Sequence, residues 1–198
     1  MNTVAKFISN SQPYPLYVGN MTQLVANGAT SGVNQTPERI HFTKMNLARM
    51  QRWEKRIEIS PDSFPEVSRI KESYKLLAIT ESWCGDAAHC LPVIQKICEL
   101  SPKLELFTIW RDENPELMDA FLTNGARSIP KVIVFDSKHE VQFVWGPRPA
   151  PTQPLLTAYK SDENISHEDF TRSLQVWYNA DKGKTLIKEW RSLISQLS

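Results

Sequence analysis

The pattern of hydrophobic and polar positions is clearest in the middle of the chain. Residues 75–80, Lys-Leu-Leu-Ala-Ile-Thr, form a short, partly β-branched apolar run that is typical of a buried strand. Residues 87–100 place their apolar side chains at helical spacing instead. Between the two patterns lies Trp83-Cys84-Gly85-Asp86. The sequence therefore predicts a strand that turns into a helix, with Cys84 where the helix begins.

The first 70 residues carry two helix starts. Thr36 and Pro37 form a strong one, because threonine caps a helix and proline suits its first position. The apolar residues that follow predict a buried stripe of Ile40, Met45, Leu47, Met50 and Trp53. The basic residues among them are interpreted as a solvated face, namely Arg49, Arg52, Lys55 and Arg56. Ser60-Pro61 predicts another helix, and residues 11–36, rich in Asn, Gly, Ser and Thr, are expected to include a loop.

The hydrophobic pattern of about the last 45 residues predicts helices. A helix is predicted over residues 155–159, and Ser166 is expected to cap another that runs through Phe170, Leu174 and Trp177. Ile187, Trp190 and Ile194 continue a helical pattern beyond Gly183. We expect these helices to pack on the rest of the molecule.

Composition fits one compact α/β domain. The chain has 198 residues, 41% hydrophobic and 23% charged, which leaves room for a proper core. A net charge of +1, with no basic stripe interleaved with aromatic residues, predicts no nucleic-acid partner. No transmembrane run stands out and residues 1–10 lack the pattern of a secretory signal, so we expect no membrane partner and a cytoplasmic location. Three cysteines without pairable spacing fit a reducing compartment.

Cys84 is the candidate nucleophile. The start of a helix has unpaired N–H groups and the positive end of the helix dipole, both of which favour an anion. The sequence therefore predicts that the pKa of this thiol falls from about 8.5 toward roughly 7. Only the thiolate attacks a disulfide, so this shift would make Cys84 reactive.

Four landmarks in the chain resemble the thioredoxin superfamily. The first is Trp-Cys-Gly at residues 83–85, with Pro92 eight residues after the cysteine. The others are Asp112-Glu-Asn-Pro115, the segment Arg127-Ser-Ile-Pro130 with the apolar run that follows it, and Trp145-Gly146. They resemble the active-site helix, the segment after the third strand, the cis-proline loop and the third active-site loop of thioredoxins. The resemblance covers about residues 71–158 and is to a bacterial thioredoxin-like group with a Trp-Cys-Gly-Asp motif.

The resemblance implies a thioredoxin-like α/β fold with a central mixed β-sheet flanked by helices. Residues 71–158 would form its core, residues 1–70 a helical extension packed on that core, and residues 159–198 the C-terminal helices. It also implies that Pro130 is cis and packs against Cys84, while backbone groups of Ile129 pair with an extended substrate strand. The same resemblance assigns substrate binding to Trp83, Gly85, Asp86 and Gly146 as well.

The chain departs from dithiol thioredoxins at two positions. Ala87 replaces the resolving cysteine, and Ala78 replaces the buried acid that usually accepts its proton. Cys90 is the nearest other thiol, but helical geometry puts it about 9 Å along the axis from Cys84, whereas a disulfide needs Cα atoms within about 7 Å. Such a bond would require the first helical turns to unwind. Cys90 is therefore interpreted as a packing residue and kept only as a candidate resolving residue, and Cys98 is interpreted as core.

Charged residues near the motif could change the reactivity of Cys84. Asp86 favours the helix dipole but repels a thiolate, so its net effect can have either sign. The resemblance places Arg127 and Arg148 on the face of Cys84, where either could stabilise a thiolate or bind a carboxylate of a small thiol. His89 has no ligand-like spacing to the cysteines and is interpreted as a solvated surface residue; no metal site is predicted.

The sequence thus predicts a thiol–disulfide oxidoreductase that uses one nucleophilic cysteine in mixed-disulfide exchange and serves cell redox homeostasis. Its partners would be protein or small-thiol disulfides, and an external low-molecular-weight thiol would release the product, with no bound cofactor. The alternative is a redox-inactive module that keeps the thioredoxin groove for a peptide or protein, which Ala87 and Ala78 favour. A thiol peroxidase fits less well, because relatives of that kind have a threonine where this chain has Glu81.

Overall fold

A mixed five-stranded sheet forms the centre of the computed structural model, which describes residues 3–197. Its strands are β1 (Gln12–Pro13), β2 (Tyr74–Thr80), β3 (Leu104–Trp110), β4 (Lys131–Phe135) and β5 (Val141–Trp145), in the order β1-β3-β2-β4-β5. Helices flank this sheet, which confirms the expected α/β class. Met1, Asn2 and Ser198, at the ends of the predicted extension and C-terminal helices, lie outside the described residues.

Strand β2 occupies the middle of the sheet. It pairs in parallel with β3, from Tyr74 opposite Leu104 to Thr80 opposite Trp110, and antiparallel with β4. Six of its seven residues are buried, which explains why its sequence is a continuous apolar run rather than an alternating one. The C-terminal end of β2 therefore presents residues 81–84 at the edge of the sheet, where helix α4 begins.

Eight helices flank the sheet in the described part of the chain. They are α1 (Thr3–Ser9), α2 (Tyr14–Ala26), α3 (Pro37–Arg56), α4 (Gly85–Cys98), α5 (Pro115–Ala120), α6 (Gln153–Ser161), α7 (His167–Asp181) and α8 (Lys184–Ile194). The side chain of Thr36 accepts the N–H of Arg39, and Ser166 forms a reciprocal capping box with Asp169. Both predicted helix caps are therefore confirmed.

Two predictions for the N-terminal residues differ from the structure. Within residues 11–36, the first half forms helix α2, and the loop occupies only residues 27–36. The buried residues of α2 are Tyr14, Tyr17 and Met21, which have helical spacing. This spacing outweighs the polar composition of the segment. The helix predicted at Ser60-Pro61 is a single 3-10 turn, because Phe64 precedes a proline and leaves the helical conformation.

Helix α4 packs against α3, α8 and strand β3. The side chains of Met21 and Met50 from the N-terminal residues and of Trp190 and Ile194 from the C-terminal residues are at most 1% exposed. Both ends of the chain thus contribute to the same core as the sheet. The division into an extension, a core and C-terminal helices stays a prediction. None of the helices within residues 3–197 has the length and apolar character needed to span a membrane.

Candidate functional site

Cys84 is the N-cap residue of helix α4. Its sulfur accepts the N–H of Ala87 at 3.4 Å, and its S–H donates to the carbonyl oxygen of Ile129 at 3.4 Å. The Ile129–Pro130 peptide bond is cis. The thiol of Cys84 therefore lies between the first turn of α4 and the loop before β4, next to the Ile129–Pro130 peptide, as the resemblance to thioredoxins implied.

The expected activation of Cys84 is not found. Cys84 is only 7% exposed, and this burial raises the pKa of its thiol to about 12, with a further rise from the charge of Asp86. The N–H of Ala87 and the guanidinium of Arg148 oppose the rise but do not overcome it. The prediction of a lowered pKa was therefore wrong, because it counted the helix start and omitted the loss of water around the sulfur.

Asp86 and Arg148 form a buried ion pair beside Cys84. Nε and Nη2 of Arg148 donate to Oδ2 of Asp86 at 3.0 Å and 2.6 Å, and the hydroxyl of Tyr178 donates to Oδ1 at 2.8 Å. The Tyr178 hydroxyl also lies 3.7 Å from the sulfur of Cys90. Arg148 thus lies close to the cysteine, as expected, but its charge is already paired with the carboxylate of Asp86.

His89 is buried rather than solvated, so its interpretation as a surface residue was wrong. The indole N–H of Trp53 donates to Nδ1 at 2.7 Å, and the ring stacks on Tyr178 with 4.2 Å between centroids. Because an indole can only donate, Nδ1 carries no proton and the ring is the neutral Nε2–H tautomer, with Nε2 facing the amide of Gln175. Burial lowers the pKa of His89 to about 3, and the charge of Arg49 contributes to this shift.

Trp83 packs against two guanidinium groups. Arg39 lies 4.4 Å and Arg111 4.8 Å from the centre of its ring, both within the range of cation–π attraction. Asp112 lies between the two arginines: Nη2 of Arg111 is 2.7 Å from Oδ1, and Nη1 of Arg39 is 3.7 Å from Oδ2. The indole of Trp83 is thus held in place immediately before Cys84.

Of the remaining residues expected at the site, Gly85 and Gly146 lie there and Arg127 does not. Gly85 lies next to Cys84 at the start of α4. A Cβ atom on Gly146 would lie 2.2 Å from the carbonyl oxygen of Pro130, so the chain passes too closely there for any other residue. Arg127 does not line the groove that Cys84 lines, and its charge is not among the causes of the shifted pKa of that thiol; its exposed guanidinium forms a two-point ion pair with Asp119. The proposed role of Arg127 in charge tuning was therefore wrong, because a nearby acid captures the side chain.

Cys84 opens into a groove of about 530 Å³. One wall comes from the start of α3 and the loop before it, the floor from residues 83–86 and Ile129, and the other wall from α7. Cys84 is the only one of the three cysteines that lines this groove. Cys90 is fully buried and Cys98 is 3% exposed, as suits packing residues, and all three thiols are free. Residues 3–197 contain no cluster of three or more His, Cys, Asp or Glu side chains that could hold a metal.

Several residues of the site were missed by sequence reasoning. Tyr178 follows Leu174 by one helical turn, so the buried stripe of α7 could have indicated it. Arg49 was assigned to a solvated face, but it is only partly exposed and lines the groove. Nothing in the sequence indicates that Arg39 and Arg111 meet at Trp83, because that contact depends on how the elements pack.

Comparison with known proteins supports the same family as the landmarks. A thioredoxin family model matches residues 32–160. Thioredoxin 1 of Nostoc sp. is 31% identical over 71 residues, which are 35% of this chain and 64% of that protein. The thioredoxin of Synechocystis sp. is 29% identical over 96 residues, which are 48% of this chain and 87% of that protein. The chain thus spans less than two thirds of the Nostoc relative.

Two solved structures resemble the fold over nearly the whole chain. A protein of unknown function from Pseudomonas aeruginosa has a TM-score of 0.66 at 16% identity, with 98% of each chain covered. An HIV epitope scaffold has a TM-score of 0.62 at 18% identity and the same coverage. At these identities the likeness concerns the fold alone, while the family model covers more than half of the sequence. The chain therefore belongs to the thioredoxin family.

Proposed function

We propose that this protein is a thiol–disulfide oxidoreductase that acts through the single thiol of Cys84. Membership of the thioredoxin family supports a general redox function, and members of this family act on protein disulfides in general. The observation that carries the proposal is the position of the Cys84 sulfur, at the start of α4 and against the Ile129 carbonyl, facing a groove that no other cysteine of the described chain lines.

The proposed reaction is a mixed-disulfide exchange. Cys84 loses its proton to solvent, and the thiolate attacks one sulfur of a substrate disulfide. A bond forms between Cys84 and that sulfur, the substrate S–S bond breaks, and the other sulfur leaves as a thiolate. An external thiol then attacks the mixed disulfide and regenerates Cys84, so electrons come from that thiol. The reaction needs no bound cofactor and suits a cytoplasmic setting.

The residues around Cys84 have distinct proposed roles. Ile129 and Pro130 would hold the substrate next to the sulfur, with Trp83, Gly85 and Asp86 completing that surface and Gly146 keeping the loop close to Pro130. Arg148 would favour the thiolate more strongly if its contact with Asp86 weakened, because its charge already lowers the pKa of Cys84. The finer motif assignment, a Trp-Cys-Gly-Asp group without the second cysteine, belongs to this proposal.

The first test is the reaction of the full chain with the neutral reagent bis(2-hydroxyethyl) disulfide, followed by whole-protein and peptide mass spectrometry. We expect one adduct at Cys84, with a rate that still increases with pH above 9 because the thiol pKa is about 12. Cys84→Ser should abolish the adduct, whereas Cys90→Ser should retain it. A thiol added afterwards should remove the adduct.

Two results would contradict the single-cysteine mechanism. If Cys84 stays unmodified over the whole range in which the protein is folded, the exchange reaction is wrong. If the wild-type protein becomes lighter by two hydrogen atoms and a Cys84–Cys90 link is found, Cys90 resolves the intermediate after all. Loss of that product in Cys90→Ser would establish this second mechanism.

A redox-inactive binding module is the second candidate, and the burial and raised pKa of Cys84 favour it. In that case a peptide would bind along Ile129 without covalent chemistry. Cys84→Ser and the wild-type protein would then bind the same peptides equally well, and no disulfide would react. Screening a peptide library against both proteins separates the two functions.

A further inference from the structure

The groove beside Cys84 has the size of a small-molecule site. Its volume of about 530 Å³ lies within the range of roughly 300–1,000 Å³ that is usual for such sites. Helices α3 and α7 form its two walls, and residues 83–86 with Ile129 form its floor. Apolar side chains suited to the aliphatic part of a ligand contribute to both walls, namely Phe42, Phe170 and Leu174.

Arg49 brings an uncompensated positive charge into this groove. A Cβ atom on Gly85 would lie 3.9 Å from its Nη1, so the guanidinium lies beside the residue that follows Cys84. Its hydrogen-bond partner is the neutral Oδ1 of Asn46 at 2.8 Å, and within residues 3–197 no acid forms an ion pair with it. Burial and the neighbouring Arg52 lower the pKa of Arg49, as expected for a cation without an anionic partner.

Arg39 provides a second incompletely satisfied guanidinium, on the side of the residue that precedes Cys84. It lies over the ring of Trp83, and its Nη1 is buried without a hydrogen-bond partner. The nearest carboxylate, on Asp112, is 3.7 Å from Nη1, and that acid is already bound by Arg111 at 2.7 Å. Nη1 itself is shielded from solvent, but the Arg39 side chain is 25% exposed and lines the groove, so the exposed part of its guanidinium can donate to an anion there.

The acids that line the groove do not neutralise these two arginines. Asp86 is committed to Arg148 and to the hydroxyl of Tyr178. Glu38 is exposed to solvent in the first turn of α3 and forms no ion pair within the described residues. The wall of the groove that α3 forms therefore keeps a positive region near Cys84, made by Arg39 and Arg49.

We propose that this groove binds an anionic low-molecular-weight thiol, whose carboxylates pair with Arg39 and Arg49 and whose sulfur exchanges with Cys84. The assignment deepens the proposed function and rests on it, since it assumes exchange at Cys84. It identifies the external thiol as a bound reactant of this site rather than a reagent met by collision in solution.

Thiol–disulfide exchange between Cys84 and the bound small thiol needs no additional oxidant. In the loading direction, the Cys84 thiolate attacks the small-thiol disulfide, forms the mixed disulfide and releases one small thiolate. In the release direction, a second small thiol attacks the mixed disulfide, which regenerates Cys84 and forms the small-thiol disulfide. When the mixed disulfide comes from a protein substrate instead, the small thiol supplies the electrons for its reduction.

The test compares three disulfides of different charge in their reaction with Cys84 in the full chain. The probes are glutathione disulfide, which is anionic, bis(2-hydroxyethyl) disulfide, which is neutral, and cystamine, which is cationic. We expect glutathione disulfide to react faster than cystamine by at least about tenfold, as hydrogen bonds between charged groups allow. Added salt should reduce this preference, because it screens the charges.

Variants locate the preference in the groove. Arg39→Gln and Arg49→Gln should each slow glutathione disulfide more than they slow the neutral disulfide, so that the ratio of the two rates falls. Arg127→Gln is the matched control, because it removes an exposed arginine that pairs with Asp119 away from the groove. Circular dichroism of each variant at the assay pH establishes that it is folded.

The outcomes separate this assignment from the function on which it rests. If all three disulfides react equally, or if the two groove variants keep the preference, the anionic-thiol site is wrong while exchange at Cys84 stands. If an extended acidic peptide disulfide of the same net charge reacts faster than glutathione disulfide, the groove serves polypeptides and the small-thiol assignment is overturned. If no disulfide reacts, the proposed function itself fails.

Discussion

Asp86 is the residue on which the reactivity of Cys84 depends most directly. Burial is the largest cause of the raised pKa of the thiol, but no single substitution restores water to the site. The charge of Asp86 is the next cause, and it acts twice: it repels the thiolate, and it engages the nearby guanidinium of Arg148. The charge of this acid therefore adds to the effect of burial and raises the pKa of the resting thiol further.

We predict that Asp86→Asn increases the reactivity of Cys84. Removal of the negative charge lowers the pKa of the thiol, so alkylation at pH 8 should be about tenfold faster, in proportion to the thiolate fraction. The measurement is the rate of iodoacetamide labelling of Cys84 between pH 7 and 10. Asp119→Asn is the control, because Asp119 forms an exposed ion pair with Arg127. An unchanged or slower rate in Asp86→Asn would show that the charge is not a determinant.

Tyr178 links helix α7 to the first turns of helix α4. Its hydroxyl satisfies Oδ1 of Asp86 and contacts Cys90, and its ring covers His89. We predict that Tyr178→Phe lowers the free energy of unfolding by about 1–3 kcal/mol, because the variant leaves a buried carboxylate oxygen without its donor. Tyr159→Phe is the control, since that hydroxyl makes no hydrogen bond within the described chain. Urea unfolding of the three proteins measures both effects, and an equal change in the two variants would contradict the argument.

The loop after strand β5 depends on Gly146. Its φ of +114° is a conformation that side chains rarely adopt, and the space for a Cβ atom is occupied by the backbone of Pro130. This close approach keeps the loop with Arg148 next to the loop with Ile129. The two loops thus reach Cys84 together because one residue between them has no side chain.

We expect Gly146→Ala to destabilise the protein by about 3 kcal/mol or more, because strain at φ and the clash with Pro130 act together. Gly19→Ala is a matched control inside α2, where the added Cβ atom would have no neighbour within 4 Å. That change should be neutral or stabilise by up to about 1 kcal/mol, as alanine does in a helix. Thermal unfolding followed by circular dichroism compares the two, and a similar loss in both would refute the steric explanation.

At the scale of the whole molecule, His89 makes stability depend on pH. It lies between α3 and α7, bound to Trp53 and stacked on Tyr178, and its pKa is lowered from 6.5 to about 3. Between these two values the unfolded chain binds a proton that the folded protein does not. The contribution of His89 to the free energy of unfolding is therefore fully present above pH 6.5 and is lost as the pH falls toward 3.

We predict that the wild-type protein loses about 2 kcal/mol more of its unfolding free energy than His89→Gln does when the pH falls from 7 to 5. The variant is expected to be less stable at pH 7, because it loses the stacked ring, but its dependence on pH should be weaker. Urea unfolding at both pH values gives the four free energies. The same loss in both proteins would mean that other groups control acid stability.

The sequence by itself determined the parts of this protein that depend on neighbouring residues. The apolar run of β2, the caps at Thr36 and Ser166 and the position of Cys84 at a helix start are local, since they follow from residues a few positions apart. The landmarks from Trp83 to Gly146 also indicated the thioredoxin family, because they depend only on residue type and order along the chain.

Only the tertiary structure decided the electrostatics of the site. The pKa of Cys84 depends on how completely water is excluded, which neither a motif nor a helix start reveals. His89, Arg49 and Tyr178 belong to different helices, and their roles exist only where α3, α4 and α7 meet. Charge and burial act across space rather than along the chain, and for that reason the fold could be predicted from the sequence while the state of its central thiol could not.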